Sequence, residues 1–227
     1  MTFSLLARDP GTGTLCAAAA TGSLCVGGWV LRGRLGAGLS ASQGAAPSTF
    51  WGEDVLDRMA GGQSASIAVA KVTGADRGRA WRQLAALDPT GRAAAFTGDE
   101  NTPQMGARSF PGGIASGNML AGLEVLDALS DAFQTADGSP AERLIAALRA
   151  ADRAGSDSRG LFSAALLVLS PAHAPLTLRI DYHDSDPIGA LQALHARATS
   201  GGYGRWARQV PCADDPERIL SETDFRD

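Results

Sequence analysis

Few residues in this chain carry chemistry in a recognisable pattern, and the first of them is Thr2. A residue as small as threonine in second position permits removal of Met1. A chain that begins at Thr2 holds a hydroxyl nucleophile and its own base in one residue. An unperturbed α-amino group has a pKa of about 7.7–8.0, so part of it is neutral near pH 7. It can then take the hydroxyl proton, directly or through a water. The dipeptide Met-Thr is common and by itself says little.

A second group is Asp181-Tyr182-His183-Asp184. Carboxylates around an imidazole can bind a metal ion or move a proton. The same residues can also form a hydrogen-bonded turn ahead of a helix cap at Asp186, and one histidine with local carboxylates favours the turn. His173 falls in the turn predicted for Pro171 to Pro175 and is expected to be exposed. His195, beside Leu194, is predicted on a solvated helix face. The three cysteines, Cys16, Cys25 and Cys212, form no C-x-x-C pair, which argues against a zinc ribbon or dithiol motif. Cys16 and Cys25 sit in apolar stretches as small core residues. There is no P-loop, no H-E-x-x-H, no G-x-S-x-G and no complete G-x-G-x-x-G after a strand; with 28 glycines, isolated glycine patterns carry no weight. No metal or cofactor is expected.

Strands open the chain that must position these groups. Thr2 to Arg8 and Thr14 to Ala20 flank the turn signal Asp9-Pro10-Gly11-Thr12-Gly13 and read as a hairpin. Trp29 to Arg32 and Gly38 to Ser42 read as a second strand pair. Helices follow at Glu53 to Met59, closed by Gly61-Gly62, and at Ser64 to Val72. Arg82 to Leu87 and Arg92 to Thr97 form a hairpin around Asp88-Pro89-Thr90-Gly91, with proline and glycine where a type I turn wants them. Gly113 to Leu120 is a further strand. Leu123, Leu126, Leu129 and Phe133 make the apolar stripe of one helix. Ser139-Pro140-Ala141-Glu142 is a capping box that starts the next. Leu161 to Leu169 and Leu176 to Asp181 are strands, and Asp186-Pro187 opens a last helix. From Thr199 the chain reads as an irregular tail with one helical turn. Strands and helices in blocks, joined by hairpins, indicate an α+β fold with antiparallel sheets.

The start Met1-Thr2-Phe3-Ser4-Leu5-Leu6-Ala7-Arg8-Asp9 resembles the bacterial family known as domain of unknown function 1028. So do Ser42-Gln43, Arg82-Gln83, Ala95-Phe96-Thr97-Gly98 and, most specifically, Gly117-Asn118-Met119-Leu120-Ala121-Gly122. Asp157-Ser158-Arg159-Gly160, Ser163 to Val168, Leu178-Arg179-Ile180-Asp181 with His183, and Asp186-Pro187 also fit. The resemblance covers about residues 1–197, which makes 1–197 the domain and 198–227 a C-terminal tail. That family is similar to the N-terminal-nucleophile (Ntn) hydrolases, which implies a four-layer αββα sandwich of two antiparallel sheets. It implies Thr2 as nucleophile after loss of Met1, acting on an amide or related bond, and Asn118 as a second catalytic residue supplying an oxyanion hole. It implies Arg8, Asp9, Gln43, Gly117, Asp157 and Arg159 as substrate-binding residues. One departure stands out. Proteasome-like relatives place a lysine near the nucleophile, whereas the single lysine here, Lys71, lies in a predicted helix. Arg32 or Arg34 would have to replace it, and arginine does not give up its proton. The alternative is a catalytically inactive member that binds a ligand or assembles.

The expected partner is a small-molecule or peptide amide, with a homo-oligomer implied by self-associating relatives. A net charge of −4 argues against non-specific nucleic-acid binding. No apolar run approaches the roughly 20 residues of a membrane span, and Arg8 and Asp9 interrupt the first apolar segment, so a cytoplasmic location is expected.

Overall fold

The computed structural model describes residues 2–156 and 160–220. The elements run β1 (Thr2–Arg8), β2 (Leu15–Thr21), α1 (Val26–Trp29), β3 (Leu31–Arg34), β4 (Gly38–Gly44), α2 (Thr49–Ala60) and α3 (Ala65–Gly74). They continue with β5 (Arg82–Leu87), β6 (Ala93–Thr97), β7 (Gly106–Phe110), β8 (Gly113–Asn118), α4 (Glu124–Thr135) and α5 (Pro140–Arg153). The last are β9 (Ser163–Ser170), β10 (His173–Ile180), α6 (Pro187–Thr199) and α7 (Gly201–Ala207). Two antiparallel sheets form, one in the order β10-β9-β2-β1-β8-β7 and one in the order β3-β4-β5-β6.

The two-residue period of the strands sorts their side chains into layers. From β1 and β2, Phe3, Leu5, Ala7, Cys16, Ala18 and Ala20 face a helical layer with Leu126, Leu129, Leu144 and Leu148 of α4 and α5 and Leu191 of α6. The alternate residues, Leu6, Leu15, Ala17 and Ala19, face Leu39, Ala41, Ala85 and Leu87 of the second sheet. The far face of that sheet, with Leu84 and Ala86, packs on Trp51, Val55, Leu56 and Met59 of α2 and Ala68, Val69 and Val72 of α3. Helix, sheet, sheet and helix stack as the expected αββα sandwich. Every residue of β2 is buried because it has a neighbour layer on both faces, and its run of alanines lets those layers approach.

Local signals hold where they are strong. Ser139 accepts from the Glu142 N–H, and the Glu142 carboxylate accepts from the Ser139 N–H at 2.8 Å, so the capping box forms as predicted. The Gly91 N–H donates to the Asp88 carbonyl at 2.9 Å, closing the hairpin turn.

Three elements differ from the sequence-based expectation. A short helix, α1, takes Val26–Trp29, and the strand expected from Trp29 begins at Leu31. A Cβ on Gly27 would lie 2.7 Å from Ala165 and from Arg179, so the glycines let this turn lie flat on β9 and β10. β7 is a mostly exposed edge strand of sequence Gly-Ala-Arg-Ser-Phe, without the apolar alternation that marks a strand. Beyond 197, α6 continues to Thr199 and α7 adds seven helical residues where one turn was expected. His195 is also corrected: it is 9% exposed and not on a solvated face, because α6 packs that side against the rest of the helical layer.

Candidate functional site

Thr2 is the first residue of β1, a strand interior to the larger sheet, and is flanked by Thr21 of β2 and Asn118 of β8. Its hydroxyl lies 3.1 Å from the Thr21 hydroxyl. Beside it opens a cavity of about 320 Å³, walled by Thr2, Thr21, Val26, Trp29 and Gln43 among others. α1 supplies the apolar wall, and the end of β4 supplies Gln43.

Gln43 is delivered by strand register. It pairs directly with Gln83 of β5, and the chain then leaves the strand through Gly44 at φ +131°. A Cβ there would sit 2.8 Å from both the Asn101 side-chain oxygen and the Trp81 carbonyl, so the exit requires glycine. Asn101 is 3% exposed and pins the exit: its Oδ1 accepts from the Ala45 N–H at 2.8 Å, and its Nδ2 donates to the carbonyls of Arg82 and Gly98, each at 3.0 Å.

Three buried amides converge here. Gln83 Nε2 turns its two hydrogens toward three acceptors in range, the Gly106 carbonyl at 3.0 Å, the Gly117 carbonyl at 2.9 Å and Thr97 Oγ1 at 2.9 Å. Two of those acceptors are backbone carbonyls, which only the NH2 side of an amide can serve. Gln83 Oε1 therefore points the other way and accepts from Gln43 Nε2 at 2.7 Å and Asn118 Nδ2 at 3.3 Å. The same logic fixes Gln43: its NH2 faces Gln83, so its Oε1 faces away, and among the described residues that buried oxygen has no hydrogen-bond partner.

The structure thus brings together Thr2, Gln43, Gly117 and Asn118. It places Arg8 and Asp9 elsewhere, at the opposite end of β1, about 20 Å from Thr2 at roughly 3.4 Å per residue. Neither is among the described residues that line the cavity beside Thr2. Asp9 Oδ1 accepts from the Thr12 N–H and hydroxyl, each at 2.9 Å, and Oδ2 from Arg143 at 3.2 Å. The Thr12 N–H, then the Thr12 hydroxyl and the Arg143 charge, hold the Asp9 carboxyl below its ordinary range against the cost of burial. Asp157, Arg159 and Met1 lie outside the described residues. The flanks of 157–159 are anchored near Thr2: the Ser156 carbonyl accepts from the Ala121 N–H at 3.2 Å, and the Phe162 N–H donates to the Thr21 carbonyl at 2.9 Å.

Lys71 is exposed on α3. Arg32 and Arg34 are tied to α2 through Glu53 at 2.9 Å and Asp57 at 2.8 Å. None of the three is among the described residues of the cavity wall. His183 forms the turn: its Nδ1 accepts from the N–H groups of Ser185 at 3.3 Å and Asp186 at 2.9 Å, leaving that nitrogen no lone pair for a metal. Asp186 then caps α6 through the Gly189 N–H and is clasped by both terminal nitrogens of Arg149. Among the described residues no cluster of three metal-ligating side chains exists.

Gln83 and Asn101 were not singled out by the chemistry of the sequence. A signal exists for Gln83: it adjoins the apolar run Leu84 to Leu87 of β5, where a buried glutamine must find polar partners.

The matching family model spans residues 2–191, and its description is a family of unknown function, DUF1028. This chain belongs to that family. A DUF1028 protein from Silicibacter pomeroyi is 60% identical, with a TM-score of 0.94 over 97% of this chain and 96% of that one. HslV from Trypanosoma brucei is 15% identical, with a TM-score of 0.45 over 74% of this chain and 99% of that one. Anbu, an ancestral β-subunit from Yersinia bercovieri, is 12% identical, with a TM-score of 0.38 over 86% of this chain and 94% of that one. No curated protein matches the chain. Among the described residues, no helix of this DUF1028 member is long and apolar enough to cross a membrane.

Proposed function

We propose that this DUF1028 protein is an amide-bond hydrolase that uses Thr2 as its N-terminal nucleophile once Met1 is removed. The observation that carries this reading is the placement of the Thr2 hydroxyl at a sheet end that opens onto a cavity, 3.1 Å from a second hydroxyl. The free α-amine would take the proton from Thr2 Oγ1 as that oxygen attacks an amide carbonyl, and would return it to the leaving nitrogen. Water would then release the acyl group from Thr2. The Asn118 strand end pairs with Thr2 and would supply the oxyanion donor in this scheme. The substrate would be a small-molecule or peptide amide, 1–197 the catalytic unit, 198–227 an appendage, and the working form a cytoplasmic homo-oligomer.

A panel of neutral amides offered to protein of native start tests this. Hydrolysis that falls by at least about a hundredfold in Thr2→Ala supports it; activity that survives the substitution sinks it.

A second reading has its own observation. Asn118 Nδ2 is already committed to Gln83, and Lys71 is exposed on α3, outside the described cavity wall. Both favour a non-catalytic member that binds a ligand in the same cavity or self-associates. Binding of an amide without turnover, in protein shown to lack Met1, would favour this reading over the first.

A further inference from the structure

β2 carries one hydroxyl, and it falls opposite Thr2. The strand reads Leu-Cys-Ala-Ala-Ala-Ala-Thr, is buried throughout and ends on Thr21. By the two-residue period, Thr21 shares a face with Ala19, Ala17 and Leu15, which pack on the second sheet. Strand register then sets four polar residues in a row on that face: Asn118 of β8, Thr2 of β1, Thr21 of β2 and Ser163 of β9. Two of them serve other partners. Asn118 Nδ2 donates to Gln83 at 3.3 Å. The Ser163 hydroxyl donates to the Ser23 carbonyl at 2.8 Å and accepts from the Val26 N–H at 3.1 Å, which anchors the start of α1. Among the described residues, it is Thr21 whose side chain meets the Thr2 hydroxyl, at 3.1 Å. Thr21 is 3% exposed, and its carbonyl accepts from the Phe162 N–H at 2.9 Å, so the strand end that carries it is fixed. Packing between two sheets does not call for a hydroxyl here; a valine would fill the same space without burying a polar group.

We propose that Thr21 is a positioning residue for the Thr2 nucleophile. Rotation about χ1 carries the Thr2 oxygen among three staggered positions. The contact with Thr21 selects one of them and holds it at the cavity wall. An oxygen fixed before the acyl donor arrives starts close to its attack geometry, whereas one that turns freely must first be ordered. The inference rests on Thr2 as the nucleophile and adds to that reading the residue that orients it.

The test uses protein of native start, with loss of Met1 verified by intact mass, and β-butyrolactone as the acyl donor. Peptide mapping follows the acyl group on Thr2 against time. Lys71, the single lysine, is exposed on α3 and reports the reactivity of the lactone in the same sample. Thr21→Val should slow acylation of Thr2 about ten- to a hundredfold and leave Lys71 unchanged. Thr21→Ser, which keeps the hydroxyl, should stay within about threefold of the unsubstituted rate. A Thr21 that served packing alone would give the reverse order, since valine keeps its shape and serine does not. Full acylation in Thr21→Val, or an equal loss in Thr21→Ser, overturns the proposal and leaves Thr2 standing as the nucleophile. Where Thr21→Val does not fold, Thr21→Ala takes its place, because β2 already carries alanine at four positions; the full rate in that variant overturns the proposal as well. Retention of Met1, or no acylation of Thr2 in the unsubstituted protein, overturns this proposal together with the hydrolase reading, so the two failures are told apart.

Discussion

The two ends of β1 are built from opposite materials. At the Arg8 end the chain is held by charge: Asp9 pairs with Arg143 at 3.2 Å, and in the neighbouring hairpin turn Asp88 pairs with Arg92 at 2.9 Å. The Asp88 side chain is 1% exposed and also accepts from the Thr90 hydroxyl at 2.6 Å. Nearby, burial pushes the Cys16 thiol up to about 12, so it stays protonated and inert. At the Thr2 end the described partners are neutral: two threonine hydroxyls and three amides. Charged residues draw the eye in a sequence, yet here they staple turns. The end that opens onto a cavity is made of uncharged groups whose directions are fixed by backbone carbonyls. Fixed, dry dipoles of this kind are what a site needs if it is to meet a ligand without reorganising.

The largest expected effect on this contrast comes from its hub. Gln83→Leu strips donors from Gly106 and Gly117 and an acceptor from Gln43 and Asn118, and should cost about 3 kcal/mol or more in a urea unfolding experiment. A loss under about 1 kcal/mol would mean the amide cluster is not structural. Next in size is Gly44→Ala, which forces a Cβ against the Trp81 carbonyl at a left-handed backbone position. It should cost about 1–3 kcal/mol and displace Gln43, and it would be read by thermal unfolding and by amide binding together.

Acid should separate the two ends. Burial raises the Asp88 pKa, but the hydrogen bonds from Thr90 and Arg92 outweigh it, so the Asp88 carboxyl, like that of Asp9, sits below its ordinary value of 3.8. A depressed carboxyl contributes stability that is complete above its unfolded pKa and is lost as pH falls through the folded one. Stability should therefore decline as pH drops below about 4. Asp88→Asn should flatten that decline, while Gln43→Met should leave its slope unchanged. Equal slopes in wild type and Asp88→Asn would contradict the assignment of charge to this end. The smallest effect belongs to a remote control: Ser139→Ala removes the cap of α5 and should cost about 1 kcal/mol without altering amide binding.

Much of the fold was legible because its signals are local. Proline at the start of α5, glycine at the end of the 88–91 turn and the apolar stripe of α4 each act within a few residues. α1 was not legible for the converse reason: Gly27 and Gly28 fit against Ala165 and Arg179, partners far along the chain. β7 was missed for a different one: its partner β8 follows at once, but its own residues lack the apolar alternation that marks a strand. The site divides in the same way. Thr2 was singled out by its own chemistry, Gln43, Gly117 and Asn118 came from a family resemblance, and the sheets bring the four together. Arg8 and Asp9 came from the same resemblance and lie a strand length away, because adjacency in sequence along an extended strand is separation in space. Gln83, the centre of the cluster, has no chemistry of its own to advertise; its role exists only once four strands converge on it.

The most direct test is peptide mapping by mass spectrometry after protein expressed from its own start codon meets a small β-lactone, a strained acyl donor. The account predicts that Met1 is absent and that a single acyl group sits on Thr2. Retention of Met1, or acylation that spares Thr2, would contradict it.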